Sequence, residues 1–585
     1  MAINTIRNSA WLTIAGLSLL VILGGFLRLH NLDEKSITHV EMYVPGIRLP
    51  HGISVPEERL TLVKVVTSTL NSDTHPPAYY VLMWFWTKCF GTSAWSVRLP
   101  AALLGTACIP LVFWLGVLTR QTAAGWTAAA LIAVNGHQVF WSQVARMFTL
   151  ACCLGLIATI LLLKIAQQSH APRSLRFFYV AVLLMGLCTH VFFWLILAAH
   201  MLWTLLNAWN HRPVLPGAAK LQFLALILGS PLLAFSAYQN GNTLASLSNH
   251  TLVYAREFLQ FSFVFPLMGY SSGVYPDHGR IVTVDDPHLS ILRWLFFLLS
   301  LLLFLAGATA IRGSRDTLLA DTRAPSSKGW LLASGFGVLA ILLFVWVAKT
   351  FAKPPNPSLR STELMAVLPF LLALFAILVQ SNWDWLTSWR TPLVNNRFLI
   401  GDQALVLILA VCPFVALSGI SLFKPIFNAR GLLPLAPYLL LVLSAGIVRL
   451  ARHPIPAAAL LVALGIAHYS GLKAYSHLST GRADYRSFAA VFSPQVTDTD
   501  LVFLYPEFYS TPLFFYMTSN WDRAVGRNYE AACRNKPRAR IWALWFYNYE
   551  PQPMQAIQDA LSNYHAVQTV DAPGGQAVLY VPNNP

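Results

Sequence analysis

The chain has 585 residues, of which 56% are hydrophobic and only 11% charged, and its mean hydropathy is +0.55. Soluble domains carry about a quarter charged residues, so this composition excludes one and specifies an integral membrane protein. The formal net charge is +16, but Lys and Arg are scattered between apolar segments with no basic arm or aromatic RNA-binding signature, which argues against a nucleic-acid partner.

At the N-terminus Arg7 precedes an apolar run from Trp11 to Leu27. Its length of about twenty residues, without a small-x-small cleavage site, predicts an uncleaved first span rather than a signal peptide. Further apolar runs follow at 97–118, 126–141, 148–166, 177–189, 191–209, 219–238, 290–311, 329–348, 362–380, 400–420, 432–450 and 455–472. With the first run at 9–28 they predict about thirteen transmembrane helices. The run 77–90 is shorter and reads as a helix lying in the interface.

With the N-terminus in the cytoplasm, the short cytoplasmic segments collect Arg7, Arg120, Lys164, Arg173, Arg176 and Arg212, as the positive-inside rule requires. Making 77–90 a full span would invert this order. Three outer elements result: a first loop at 29–96, a second at 239–289, and everything after 474. The domains expected are therefore 1–474, membrane-embedded, and 475–585, a small soluble α/β unit on the periplasmic or extracellular face. Its strand-like runs are "LVFLYP" (501–506), "RIWALWFY" (540–547) and "QAVLYVP" (576–582), with helix near 552–564. Seven cysteines, most of them inside apolar runs and none in a CxxC pair, support neither a disulfide framework nor a zinc site.

Unusual polar residues gather at the outer ends of the spans: Asp33, Glu34, His39 and Glu41 after the first, Asp73 and His75 in "NSDTHPPAYY", Arg146 in "FWSQVARMF", His190 in "LCTHVFF", and Lys424 and Arg430 in "FKPIFNARGLLP". Polar groups at such depth are costly unless solvated or paired, so a cluster on one side is a functional candidate. Arg28 and Arg98 read by position as helix-end arginines that snorkel. His75 precedes proline and is biased to extended backbone, which would point Asp73 and His75 to one side. The same residues also suit a turn that starts the interfacial helix. His190, in a tight link between two spans, fits a helix cap or a phosphate contact.

The order of these patterns resembles the GT-C class of polyprenyl-phosphate-sugar-dependent glycosyltransferases, particularly the protein O-mannosyltransferase and lipid A aminoarabinose transferase (ArnT) group. The segments that carry the resemblance are "RLHNLDEKSITHVEMY", "DTHPPAYYVLMWFWTKCFGTSAWSVRLPAALLG", "FWSQVARMFTL", "THVFFWL" and "KPIFNARGLLPLAPYLL", with "ADYRSFAAVF" after the membrane part. The resemblance implies an inverting enzyme of the inner or plasma membrane. A polyprenyl-phosphate-linked sugar would be the donor, and a lipid, glycan or protein the acceptor at the outer face. It places the usual Asp-Glu pair at Val40 and Glu41, so the Asp is absent, and Val144 stands where relatives often have an acid.

On this reading Glu41 is the base or acceptor-positioning group, Asp73 and His75 its partners or substitutes, and Arg146, His190, Lys424 and Arg430 bind phosphate. A general base typically contributes a rate factor of about 10²–10⁴, and polyprenyl phosphate leaves as an anion that cationic donors stabilise. The lost acids remove ligands a divalent ion would need, so no metal or other cofactor is expected. Two other readings are a lipid-sugar flippase, which calls for charges in mid-span and repeat-related halves, and a silent scaffold that keeps the fold without Val40 and Val144 being acids.

Overall fold

The computed structural model describes residues 2–47, 61–72, 75–168, 170–208, 217–232, 274–277, 280–283, 297, 299–308, 401–421, 429–451, 454–476, 484–505, 510–517, 522–525, 529–546, 555–572 and 575–583. The expected spans 329–348 and 362–380 lie outside them, as do Asp73 and Lys424. The chain is a multi-pass helical membrane protein: among the described residues, Trp11–Leu29, Ala94–Leu118, Phe148–Gln167 and Leu432–Leu450 are long and apolar enough to cross a bilayer.

The helices of the N-terminal part are α1 (Ala2–Leu29), α2 (Leu62–Ser72), α3 (Ala78–Phe90), α4 (Ala94–Leu118), α5 (Thr122–Val134), α6 (Gly136–Ser142), α7 (Phe148–Gln167), α8 (Arg173–Leu187) and α9 (Phe193–Ala208). They are followed by α10 (Gly217–Leu232) and α11 (Leu299–Ala308), then α12 (Asp402–Ser421), a 3₁₀ turn (Ala429–Leu435), α13 (Ala436–Leu450) and α14 (Pro454–Ser476). Burial separates periphery from centre: the apolar window of α1 is 11% buried, that of Leu432–Leu450 89%. The first shows Trp11, Leu12, Leu19, Ile22 and Phe26 to the surroundings, as a lipid-facing helix must; the second is the core helix. Small residues let that core close. A Cβ on Gly307 or Gly446 would collide with the carbonyl of Val442 or Leu303 on the facing helix, so α11 and α13 cross at backbone distance.

Neutral polar side chains tie the helices together inside the bundle. Tyr438 and Thr159 hydroxyls are 2.8 Å apart, Thr159 lies 3.0 Å from His200 Nε2, and His200 Nδ1 lies 3.2 Å from the Tyr179 hydroxyl. Gln222 donates to Tyr179 and to Thr204 at 3.1 and 2.9 Å. The ladder joins α13, α7, α9, α8 and α10 where no water competes for these groups.

The expected span 126–141 is not one helix. Asn135 is extended (φ −67°, ψ 117°), closing α5 through its N–H and capping α6 by accepting from Gln138 N at 3.1 Å. The break frees carbonyls at the end of α5, and in a bilayer these must find donors. Arg28 supplies them: Nη2 donates to Ile132 O at 2.8 Å and Nη1 to Ala133 O at 3.1 Å. Arg28 is therefore fully buried rather than snorkelling, and it locks α1 to α5.

The C-terminal residues form a five-stranded mixed sheet with order β4-β3-β5-β7-β6, from β3 (Leu501–Tyr505), β4 (Asp522–Val525), β5 (Ile541–Phe546), β6 (Tyr564–Ala572) and β7 (Gly575–Pro582). A separate hairpin, β1 (Val274–Asp277) and β2 (Arg280–Thr283), lies in the second loop. In the sheet, β4, β3 and β5 are parallel and the β7–β6 hairpin runs antiparallel beside them. Period-two alternation splits the strands between two cores. Val502, Leu504, Trp542 and Leu544 face α15 (Tyr485–Phe492) and α16 (Ser510–Tyr516); Leu501, Phe503, Ile541 and Ala543 face α17 (Tyr529–Asn535) and α18 (Gln555–Ala560). Strands β4 and β6 are additions to the three strand-like runs read from sequence. The first is only four residues long, and the second is mostly exposed, so neither shows the apolar run that marks a buried strand.

Candidate functional site

The chain leaves α1 through Asn31, whose positive φ of 53° turns it back over the helix ends. The next ten residues would expose a run of unpaired backbone if nothing bound them. One side chain does most of that work. Arg98, near the start of α4, donates from Nη1 to Leu32 O and Lys35 O and from Nη2 to Ser36 O, each at 2.8 Å. Its Nε and Nη2 also grip the two Glu41 carboxylate oxygens at 2.8 Å, with both side chains 0% exposed.

Glu41 accepts further from Thr38 N at 2.9 Å, Thr38 Oγ1 at 3.1 Å and Ala145 N at 3.0 Å. A bidentate, fully satisfied carboxylate–guanidinium pair is the arrangement that makes a buried charge tolerable. It also removes Glu41 from catalysis as a base: no face of the carboxylate is open to a substrate, and both oxygens are committed. The expected role of Glu41 is therefore corrected to that of a strut between the first loop, α4 and the α6–α7 turn. Arg98, which sequence position suggested would snorkel, is the other half of that strut.

The same loop is gripped on its other side by the C-terminal unit. Ser36 Oγ donates to Asp484 Oδ1 at 2.8 Å and accepts from Arg486 N at 3.0 Å. Tyr516 OH accepts from Ile37 N at 2.7 Å, and Arg486 Nη2 donates to Asp33 O at 3.0 Å. Lys35 turns inward to Gln143 Oε1 at 2.9 Å, while Gln143 Nε2 caps the end of α1 through Leu27, Arg28 and His30 carbonyls.

The remaining polar candidates meet beside this strut. Arg146, 7% exposed, sits in the turn before α7 and donates from Nη1 to Tyr80 OH at 2.9 Å and Val40 O at 3.3 Å. Its guanidinium lies 6.0 Å from the Tyr80 ring centre. Ala78 N donates to Cys188 O at 2.9 Å, tying the start of α3 to the end of α8, and this brings two histidines from distant segments together. The His75 and His190 rings stack with centroids 5.1 Å apart and planes 28° from parallel, with Phe148 against both. His190 Nδ1 accepts from Phe192 N at 3.1 Å, which fixes its neutral tautomer with the proton on Nε2.

Asp33 and Glu34 are exposed, and His39 pairs with the Tyr43 hydroxyl at 3.2 Å. Asp73 and Lys424 fall outside the described residues; Arg430 has its backbone in the 3₁₀ turn, its side chain outside them. Sequence reasoning missed Tyr79, Tyr80 and Phe148. Tyr79 is 1% exposed, and its hydroxyl has no hydrogen-bond partner among the described residues. A signal was present in "PPAYY", where adjacent tyrosines open an apolar helix. Among the described residues, no three His, Cys, Asp or Glu side chains gather as a metal ion would require.

No protein-family description matches the chain, and no curated protein matches it either. Among solved structures it is similar to ArnT from Cupriavidus metallidurans in the apo state, at 13% identity and TM-score 0.40 over 98% of each chain. It is also similar to the archaeal oligosaccharyltransferase AglB from Archaeoglobus fulgidus, solved with an inhibitory peptide and a dolichol-phosphate, at 12% identity and TM-score 0.44 over 97% of this chain and 74% of that one. With identities this low and TM-scores below 0.5, these likenesses run the length of the chain without deciding its chemistry.

Proposed function

We propose that this chain is an inverting membrane glycosyltransferase that moves a sugar from a polyprenyl-phosphate donor to an acceptor nucleophile at the outer face. The observation that carries the reading is convergence. The "HPPAYY", "SQVARMF" and "CTHVFF" segments, which resemble the GT-C pattern in order, meet at one end of the bundle: Arg146 donates to Tyr80, and Phe148, two residues beyond Arg146, packs against the stacked His75 and His190 rings.

The chemistry suits a phosphate leaving group. Arg146 brings a guanidinium, His190 an Nε2–H, and Tyr79 a phenol; burial pushes the Tyr79 pKa well above its usual value, outweighing the Arg146 charge that would lower it. The phenol therefore stays a neutral donor. Cation and neutral donors together match an anion that forms as the bond to the sugar breaks. Arg430, Lys424 and Asp73 join the proposal from sequence alone, the first two as further phosphate contacts and Asp73 as a partner of His75. The inverting outcome comes from the resemblance to the GT-C class.

The test is mass spectrometry of envelope glycans and lipids from cells with and without the chain. A species shifted by one sugar mass, lost with the chain and restored by it, identifies donor sugar and acceptor together. The locked Glu41 and the valines at 40 and 144 favour one second reading, a scaffold without turnover, which predicts no such shift.

A further inference from the structure

We propose that the N-terminus of α7 is a phosphate site, which holds the donor's phosphate on the backbone N–H groups of Phe148, Thr149 and Leu150 and on the Thr149 hydroxyl. This rests on the glycosyltransferase reading above and names atoms that hold the phosphate.

A helix leaves its first N–H groups without intrahelical acceptors, and a buried helix end must find them partners elsewhere. Three helices of this chain do so with a side chain. Ser93 accepts from Ser96 N at the start of α4, Asn135 from Gln138 N at α6 and Asp484 from Ser487 N at α15, at 3.1–3.2 Å. The residue in that position at α7 is Met147, which makes no side-chain cap. Among the described residues nothing accepts from Phe148, Thr149 or Leu150 N, although Phe148 and Thr149 are each 2% exposed and Leu150 9%.

The Thr149 side chain is an independent sign. Threonines elsewhere in the helices return their hydroxyl to the carbonyl four residues earlier: Thr69 to Val65 O, Thr106 to Ala102 O, Thr119 to Leu115 O and Thr159 to Gly155 O, at 2.7–2.9 Å. Thr149 stands in the first turn of α7, and its Oγ1 is buried with no partner among the described residues. Helix side chains lean toward the N-terminus, so this hydroxyl lies at the same end as the three N–H groups.

The charges here suit an anion. A helix dipole is positive at its N-terminus, and the first turn of α7 contains no acid. Arg146 directly precedes Met147. The 3₁₀ turn Ala429–Leu435, whose backbone carries Arg430, packs against α7. Glu41, which accepts from Ala145 N, is neutralised by Arg98. Backbone N–H groups at a helix start, with a hydroxyl and a guanidinium, are the donors that phosphate takes. A phospholipid headgroup carries the same chemistry, and the probes below separate the two sources.

The test is binding to the purified full chain in detergent, read as the rise in melting temperature that a ligand of the folded state produces. The probes are undecaprenyl phosphate, undecaprenol, which lacks the phosphate, and phosphatidylglycerol. The first is expected to stabilise the unchanged chain and the other two far less. Thr149→Val keeps the shape of the side chain without its hydroxyl and should weaken undecaprenyl phosphate binding about tenfold. Its melting temperature without ligand should be unchanged or higher, because an unpaired buried hydroxyl stabilises nothing. Thr149→Ser, which loses a methyl group and keeps the hydroxyl, should recover most of the binding while melting lower. Undiminished affinity in Thr149→Val, a loss that extends equally to undecaprenol, or equal binding of phosphatidylglycerol by the unchanged chain overturns the site. Thr149-dependent binding by a chain that transfers no sugar upholds the site and defeats the glycosyltransferase reading. Sugar transfer by the unchanged chain, with Thr149→Val matching it in binding and rate, defeats the site alone.

Discussion

Two polar regions a few residues apart in the fold have opposite character. Around Arg98 every donor and acceptor is matched: five N–H groups meet three carbonyls and a carboxylate, all at 2.8 Å and all out of water. Around Phe148 the described contacts are of another kind: the stacked His75 and His190 rings, and the Arg146 guanidinium bonded to the Tyr80 hydroxyl. The first region is saturated and can only hold a shape. The second keeps neutral donors, one of them the Tyr79 hydroxyl with no partner among the described residues, and so retains the capacity to meet a ligand. Charge and burial alone do not mark an active site; what matters is whether the polar groups are already spent on each other.

The sharpest way to break this contrast is Arg98→Ala. It leaves a buried carboxylate and three loop carbonyls without their donor, and removing one partner of a buried ion pair costs about 3–5 kcal/mol. The expected result is loss of the monodisperse folded peak in detergent size-exclusion chromatography, with Arg98→Lys intermediate. Glu41→Gln should act the same way, lowering folded yield while the transfer rate per folded molecule stays within about tenfold, well short of the 10²-fold or more that loss of a base entails. A normal yield with abolished transfer would return Glu41 to the chemistry.

Arg146→Ala should do the reverse. Folded yield is expected to hold while transfer falls about 10²- to 10³-fold, the usual cost of removing one stabilising donor from a developing anion; Arg146→Lys should recover part of it. Equal loss of both quantities would make Arg146 another strut. A smaller effect is expected where the C-terminal unit grips the loop. Tyr516→Phe and Ser36→Ala each remove hydrogen bonds worth about 1 kcal/mol, which should appear as faster hydrogen exchange over 33–41 with the bundle unaffected.

The smallest effect concerns a second bidentate pair, Asp500 with Arg540, at 2.7 and 2.8 Å, whose arginine side chain is 41% exposed. Burial pushes the Asp500 carboxyl pKa up, but hydrogen bonds from Arg540 and Thr497 outweigh it and hold the pKa below its ordinary value. Because the folded pKa is depressed, this stabilisation is present above the unfolded value of about 3.9 and is lost as pH falls through the folded one. Denaturation of the C-terminal unit, followed by tryptophan fluorescence, should therefore lose stability below about pH 4, and Asp500→Asn should shallow that loss. Solvent screens the exposed partner, so the shift should be small beside that of Arg98→Ala.

Much was legible before any coordinates. Apolar run length determined that the chain crosses a membrane as helices, because a bilayer leaves backbone groups no alternative partner. Short uninterrupted apolar runs in "LVFLY" and "IWALWF" marked buried strands, and polar residues at the ends of apolar runs marked where chemistry was affordable. What sequence could not determine was which of those polar residues had already been consumed. Glu41 looks in one dimension like any other ionisable group beyond a span.

Tertiary structure showed that Glu41 is spent, because pairing depends on residues far apart in the chain. Arg98 reaches back to Glu41, and Ala145 N–H closes on the same carboxylate. Cys188 O fixes the start of α3, so that two histidines from separate loops lie ring on ring. Periodicity and hydropathy are local and survive in one dimension; the satisfaction of a hydrogen bond is a property of two groups in space, and only the folded chain brings them together.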